Sequence, residues 1–338
     1  MRKNSAAHRL GLTCIALCLI LRFHGALRDL LAAPATGEFL LYLETGQRTV
    51  SSEPPRAAIP AYAPESPAAA GAVPPEALPL PAIDAAPTEP TEPTAPVFTA
   101  QDGANIALYN TAGVEVSPET AILLSPEWPE GDGPKVLIYS SHATESYQKN
   151  GENYIETAAY RTLDSGFNML SLGAALEAAL EERGISVLRD ETLHDYPSYN
   201  NSYISSRKNA QAYLDEYPSL CLVLDLHRDA SAGTQQLRPL AQTDSGSAAQ
   251  LMLVVGTDRG NRIHPNWQKN FSLALRLQTL LERTSPGITR PVNLRAQRFN
   301  QDLSPGALLI EIGGAGNTHR EALASMDILA QAIAELLQ

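Results

Sequence analysis

The chain has 338 residues, a hydrophobic fraction of 44% and a formal net charge of −12 at pH 7. This acidic balance argues against a nucleic-acid partner, because binding phosphates requires basic patches. Its three cysteines, Cys14, Cys18 and Cys221, provide neither a disulfide framework nor a cysteine zinc motif.

The N-terminal 33 residues have the pattern of an export signal. Basic residues come first and are followed by the apolar run Leu10–Leu21. A run of this length suits a signal peptide or signal anchor, whereas a full membrane span needs roughly 20 apolar residues. Basic residues ahead of the run predict that the rest of the chain lies outside the cytoplasmic membrane. We therefore expect a domain held to the cell membrane by one N-terminal segment, or secreted if that segment is cleaved.

A spacer is predicted over residues 34–97. Proline and alanine dominate residues 52–97, which end in the run TEPTEPTAPV. Such a composition cannot bury enough apolar surface to offset the entropy of ordering it. Its proline density favours extended, semi-stiff conformations. The segment is expected to provide reach and no chemistry.

Residues 98–338 have the alternating pattern of an α/β domain. Asn105–Tyr109 and Thr120–Leu124 are predicted as edge strands or a cap on the core. Strands are predicted at Val136–Tyr139, Ile185–Leu188, Leu220–Leu226, Gln250–Val255 and Ala307–Ile312, and helices at Phe167–Arg183, Ser205–Glu216, Pro265–Arg283 and Arg320–Leu337. In the first helix, the apolar stripe consists of Leu170, Ala174, Leu176, Ala179 and Leu180, and Gly184 ends the helix. Strands alternating with helices predict a sheet covered on both faces.

Chemistry-bearing residues follow three of these strands. His142 and Glu145 lie in the polar turn SHATES after the first strong strand. His227 follows an apolar run in DLHRDA, and Glu311 follows another in LLIEIGG. Ligands of open α/β sheets bind beyond the carboxyl ends of the strands. All four side chains are predicted at such ends.

These residues form a recurrent hydrolytic zinc set. Catalytic zinc takes three protein ligands and leaves one position for water, whose pKa the metal lowers. We expect His142, Glu145 and His227 as ligands and Glu311 as the carboxylate that takes the proton of water and delivers it to the leaving amine. Taken singly, each has a plain structural alternative, such as a hydrogen-bonded core histidine or a salt bridge from Glu311 to an arginine.

Neighbouring residues are expected to support the site. Strand alternation puts Asp225 on the same side as His227, so Asp225, rather than Asp229, is expected to orient the imidazole. Arg228 is predicted either to stabilise an oxyanion or bind a substrate carboxylate, or else to lie at the surface. The run LHDYPSYNNSY, residues 193–203, suits a polar groove or an ordinary surface loop, and its His194 is a further candidate ligand.

Taken together, Val136–Tyr147, Gly184–Tyr203, Leu222–Ala230, Met252–Gly256 and Leu308–Gly313 resemble, in this order, the stage II sporulation protein P family. The similarity spans roughly residues 100–338, and the runs HDYPSYN-x-SY and DLHRDA are specific when found together. The resemblance implies the zinc amidase fold (phosphorylase/hydrolase-like), a twisted mixed sheet between helices. It also implies a zinc-dependent N-acetylmuramoyl-L-alanine amidase that cleaves peptidoglycan cross-links as well.

By the same resemblance, the protein acts in septal wall remodelling and engulfment during sporulation. The implied partners are stage II sporulation proteins D and M. Carried over by motif, His142 and His227 are zinc ligands, Glu145 is the third ligand and Glu311 the catalytic carboxylate. The chain departs from the family at Ser140, where a second histidine is common, and at Asn201, where glycine is frequent.

Two alternatives to the amidase remain open from the sequence. A zinc carboxypeptidase-like peptidase also uses His-x-x-Glu, a later histidine and a late glutamate. Such an enzyme needs a positive group for the terminal carboxylate, for which Arg228 or Arg207 could serve. The other alternative is a catalytically silent scaffold that binds the cell wall.

Overall fold

The computed structural model describes residues 95–158, 160–230, 236–259 and 263–338. The predicted N-terminal segment and the spacer, as far as residue 94, lie outside the described residues. The described helices are α1 (Ala100–Ala104), α2 (Pro118–Ala121), α3 (Met169–Glu181), α4 (Ser202–Glu216), α5 (Trp267–Thr284) and α6 (His319–Leu336). The described strands are β1 (Leu108–Asn110), β2 (Val136–Tyr139), β3 (Glu156–Ala158), β4 (Arg161–Thr162), β5 (Val187–Arg189), β6 (Leu222–Asp229), β7 (Leu240–Thr243), β8 (Gly246–Ala249), β9 (Leu251–Gly256), β10 (Val292–Arg295) and β11 (Ala307–Gly314).

Within the described residues, seven strands form one sheet in the order β1-β10-β9-β11-β6-β2-β5. The β9–β11 pair is antiparallel, and every other neighbouring pair is parallel. The sheet is therefore mixed, as predicted. Two small antiparallel pairs, β3–β4 and β7–β8, lie outside it.

Helices cover both faces of the sheet, because its central strands are apolar on both sides. On one face, Ile138, Leu224 and Ile310 join a large core with the buried residues of α3, α5 and α6. On the other face, Leu137 and Val223 pack in a smaller cluster with residues of α4. The prediction of a mixed α/β sheet flanked by helices is confirmed.

Most predicted elements match the structure to within a few residues. Of the two alternatives for Thr120–Leu124, the edge strand was wrong, because Pro118 begins the short helix α2, capped by Ser117; the buried Ile122 of this segment packs in the large core. The strand β10 and the small pairs β3–β4 and β7–β8 were not predicted. In α3 the buried stripe is displaced from the predicted one and consists of Met169, Leu172, Gly173, Leu176 and Leu180. The predicted edge strand near Tyr109 is confirmed as β1.

No helix among the described residues combines the length and apolar character that crossing a bilayer requires.

Candidate metal centre and active site

Three neighbouring strands, β11, β6 and β2, position the candidate residues. They run parallel, so their carboxyl ends meet at one edge of the sheet. His142 and Glu145 lie in the turn after β2, where the Glu145 amide donates to the His142 carbonyl at 3.0 Å. His227 and Glu311 pair in register, one on each of the other strands. Both lie inside their strands rather than beyond them, because β6 continues to Asp229 and β11 continues to Gly314.

His142, Glu145 and His227 converge as a buried cluster. Each offers one ligand atom, and these atoms lie within 4.8 Å of one another. Glu145 Oε1 is 3.6 Å from His142 Nδ1, and Glu145 Oε2 is 3.7 Å from His227 Nδ1. Two ligands of a tetrahedral zinc ion are about 3.4 Å apart, given bonds of roughly 2.1 Å. The observed spacings are therefore close to those of a zinc site.

Opposite charge keeps Glu145 ionised although its exposure is only 2%. Burial alone raises the pKa of Glu145, but Arg228, His142 and Arg161 outweigh it and hold that pKa well below its usual range. Arg161 Nη2 donates to Oε1 at 3.1 Å, and the Arg228 backbone amide donates to Oε2 at 3.1 Å. The carboxylate is thus oriented from two sides in the charged form that binds a metal. Burial lowers the pKa of His142, which favours its neutral, ligating form.

Asp225 lies against the outer side of the His227 ring, as strand alternation predicted. Its Oδ1 is 2.9 Å from His227 Nε2. Asp225 is itself held by Ser141, whose backbone amide and hydroxyl donate to it at 2.8 and 2.6 Å. Burial lowers the pKa of His227, but Asp225, Glu145 and Glu311 outweigh this effect and raise it to about 9. The other ring nitrogen of His227, Nδ1, faces the cluster. Metal-ligating histidines commonly have this arrangement, with a carboxylate on the ring nitrogen that does not bind the metal.

Glu311 is the least satisfied carboxylate of the site. It is 7% exposed, and its Oε2 has no hydrogen-bond partner. Among the described residues, no arginine is in salt-bridge contact with Glu311. Burial, reinforced by the charge of Asp229, raises the pKa of Glu311 to about 8. Asp229 itself pairs with Arg290 at 2.8 Å and does not orient His227.

The pattern of unpartnered atoms fits a divalent cation. Both ring nitrogens of His142 and the Oε2 atom of Glu311 are buried without a hydrogen bond. Buried polar groups in proteins nearly always have partners, so several orphans around one point indicate a missing ligand. Two imidazoles and a carboxylate form a donor set that suits zinc.

Arg228 is buried at 4% exposure, so the predicted surface alternative was wrong. Its Nε donates to the Ser146 carbonyl at 3.0 Å and its Nη2 to the Tyr160 carbonyl at 2.9 Å. Its Nη1 is 3.9 Å from Glu145 Oε1. Arg228 therefore lies beside the cluster and holds the loop around Glu145. Its predicted role toward an oxyanion or a substrate carboxylate stays a prediction.

The tyrosine-rich run, residues 193–203, places two aromatic rings against His142. The sequence predicted a polar groove or a surface loop here and did not predict these ring contacts. The Tyr199 ring stacks on His142 at a centroid distance of 4.6 Å, and Tyr203 meets the same ring edge-on at 5.4 Å. His194 stands apart, because its two ring nitrogens contact Ser205 at 2.8 Å and Asp190 at 3.1 Å. Sequence reasoning assigned nothing to Arg161, which contacts Glu145, and no motif marked it.

A cavity of about 240 Å³ lies elsewhere in the domain. Trp128, Tyr217 and Gly306 are among its lining residues. It borders the amino ends of β6 and β11, at the opposite end of these strands from His227 and Glu311. The cavity therefore has no part in the chemistry of the cluster.

Comparisons with known proteins agree with the sequence resemblance. The family model "Stage II sporulation protein P" matches residues 97–334. The stage II sporulation protein P of Bacillus subtilis (strain 168) is 29% identical over 227 residues, which cover 62% of this chain and 53% of that protein. The chain thus spans about half the length of this relative.

Similar solved structures include the catalytic domain of the CD27L endolysin targeting Clostridia difficile, with 15% identity over 61% of this chain and 97% of that one, at a TM-score of 0.36. The N-acetylmuramyl-L-alanine amidase Ami1 from Mycobacterium smegmatis is 10% identical over 60% of this chain and 98% of that one, at a TM-score of 0.36. The N-acetylmuramoyl-L-alanine amidase from Clostridium difficile 630 is 17% identical over 61% of this chain and 96% of that one, at a TM-score of 0.34. On the family match over most of its described length, the chain belongs to the stage II sporulation protein P family.

Proposed function

We propose that this chain is a zinc-dependent peptidoglycan hydrolase that cleaves the amide between N-acetylmuramic acid and L-alanine. The observation that carries the proposal is the buried His142–Glu145–His227 cluster beside an unpaired Glu311. The cluster offers a ligand set for a hydrolytic metal, and Glu311 offers an acid–base group next to it. The choice of substrate rests on the family and on the motifs that imply an amidase.

When bound to the cluster, zinc would polarise the amide carbonyl and acidify a water molecule. Glu311 accepts the proton of the attacking water and passes it to the departing L-alanine nitrogen. In the metal-free protein, burial keeps the pKa of Glu311 at about 8, so it holds a proton at pH 7. A divalent cation nearby lowers that pKa, because an opposite charge favours the ionised form. Glu311 therefore becomes a base when the site is loaded.

The arrangement of arginines supports the amidase over an end-trimming carboxypeptidase. Arg207 binds Asp302 through both terminal nitrogens, at 2.8 and 2.9 Å. Arg228 is directed to backbone carbonyls. Neither arginine that a carboxypeptidase would use for a terminal carboxylate is free for it. The complete ligand set also argues against a silent scaffold.

The biological setting extends the proposal. We infer action on the septal wall during engulfment in sporulation, with cross-link cleavage as a second activity. Stage II sporulation proteins D and M are the proposed partners, as the family resemblance implies. The N-terminal segment is proposed to hold the catalytic domain on the outer side of the cell membrane.

The products of wall digestion test this function. Purified peptidoglycan is incubated with the zinc-loaded full chain, and the soluble products are separated and weighed by mass spectrometry. An amidase frees whole stem peptides from intact glycan. Release of single terminal amino acids would instead establish the carboxypeptidase, and loss of the peptide cross-links, with a new free amino group for each link cut, would report endopeptidase activity. A His227→Ala chain is the control and should release nothing.

A further inference from the structure

Arg161 connects the metal cluster to the tyrosine-rich loop. Its Nη2 donates to Glu145 Oε1 at 3.1 Å, and its Nη1 donates to Asp195 Oδ2 at 2.6 Å. Asp195 belongs to residues 193–203 and also accepts from the amide and hydroxyl of Thr144, next to Glu145. One guanidinium therefore bridges a candidate metal ligand and the loop that covers it.

The same guanidinium also contacts Tyr199, one of the two tyrosines that pack against His142. The Arg161 Cζ atom lies 4.7 Å from the centre of the Tyr199 ring, and Tyr199 stacks on His142 at 4.6 Å. Tyr199 is therefore in contact with both the arginine and a candidate metal ligand. His142 is 1% exposed. The Tyr199 ring therefore covers one face of the His142 imidazole.

The backbone holds Arg161 in place independently of its side chain. Residues Glu145 and Arg161 form an antiparallel bridge. The Ser146 amide donates to the Tyr160 carbonyl at 2.9 Å, and the Thr162 amide donates to the Thr144 carbonyl at 2.8 Å. A substitution of the side chain leaves these bonds intact. The contacts of the guanidinium can therefore be removed without moving the strand.

We propose that Arg161 is a positioning residue: its planar guanidinium orients Glu145 for the metal and holds Tyr199 over His142. This inference rests on the proposed metal centre. A lysine keeps the positive charge but cannot bind two carboxylates in fixed directions or stack flat on a ring. Arg161→Lys therefore separates the geometry of the group from its charge. Outer partners of metal ligands typically contribute 10–100-fold to metal affinity.

The test is the rate at which the zinc-loaded full chain releases its metal to a colour-forming chelator. Arg161→Lys is expected to release zinc about tenfold faster or more. Arg189→Lys is the matched control, because Arg189 also binds two carboxylates, Glu177 at 2.7 Å and Glu191 at 2.6 Å, and has the same 18% side-chain exposure. It lies outside the cluster and should release zinc at the parent rate. Thermal unfolding of the metal-free chains checks that both variants fold.

A second variant keeps the test decisive if Arg161→Lys does not fold. Tyr199→Ala removes the ring that stacks on His142 and should also release zinc faster than the parent, since that ring covers one face of the imidazole. Release at the parent rate by the folded variants, from a parent that binds zinc and digests the wall, would overturn the role of Arg161 alone. A parent that binds no zinc would overturn the metal centre and this inference together.

Discussion

Replacing Glu311 by glutamine should abolish turnover and yet stabilise the metal-free protein. The amide has the shape of the carboxyl group but cannot take a proton from water. General acid–base groups typically contribute 10²–10⁴-fold to rate, so a loss of at least about a hundredfold is expected. Zinc binding should persist, because Glu311 is not among the three converging ligands.

The gain in stability follows from the raised pKa of Glu311. Burial moves the pKa from 4.5 to about 8, so between these values the folded chain holds a proton that the unfolded chain has lost. Stability therefore falls as pH rises through that window. Each pH unit is worth about 1.4 kcal/mol, so at pH 7 the penalty is on the order of 3 kcal/mol. Glutamine does not ionise and removes this penalty.

The assay is urea unfolding of metal-free chains at pH 5 and pH 7, alongside wall digestion by the zinc-loaded forms. Glu321→Gln is the matched control, since Glu321 has the same 7% exposure but a lowered pKa. Burial raises the Glu321 pKa, yet bonds from Arg238, Thr318 and Asn317 outweigh it. Its loss should therefore destabilise the fold. A Glu311→Gln chain that digests the wall at the parent rate, or that gains no stability at pH 7, would refute the reasoning.

Two further predictions concern Asp225, the carboxylate behind His227, and His264, a buried histidine outside the cluster. Asp225→Asn should weaken zinc binding about 10–100-fold, because Asp225 holds the outer nitrogen of His227; a competition titration with unchanged affinity would exclude this role. His264 is buried, and burial lowers its pKa from 6.5 to about 4 despite nearby Asp302. The unfolded chain thus takes up a proton on His264 before the folded chain does, so stability falls as pH drops from 6.5 to 4. His264→Gln should flatten that part of the pH profile of thermal unfolding, and an unchanged profile would argue against it.

The sequence predicted the cluster because each of its residues lies in, or directly after, a short apolar run that can be recognised as a strand. His142 and Glu145 share one turn, and His227 and Glu311 each follow a short apolar run, which predicts a buried strand. Parallel neighbours bring such residues together, as the register of Glu311 with His227 shows. Alternation along β6 was enough to choose Asp225 as the partner of His227.

Other features depend on contacts between distant segments and had no local signal. Arg161 lies on the two-residue strand β4 and gains its role only where the chain folds back on Glu145. Arg228 follows His227 in a polar run, which is compatible with a surface position; the structure buries it under two backbone carbonyls. The strand β10 is only four residues long, and although its sequence VNLR alternates apolar and polar residues, a run this short is too weak a signal to be recognised.

Zinc content and wall digestion, measured on one sample of the full chain and on its His142→Ala form, test the central claim most directly. The account predicts about one zinc ion per chain in the parent, together with release of whole stem peptides. His142→Ala should lose both the metal and the products while retaining the cooperative unfolding of the parent. A parent that releases stem peptides without any bound metal, or a His142→Ala chain that keeps both zinc and activity, would contradict it.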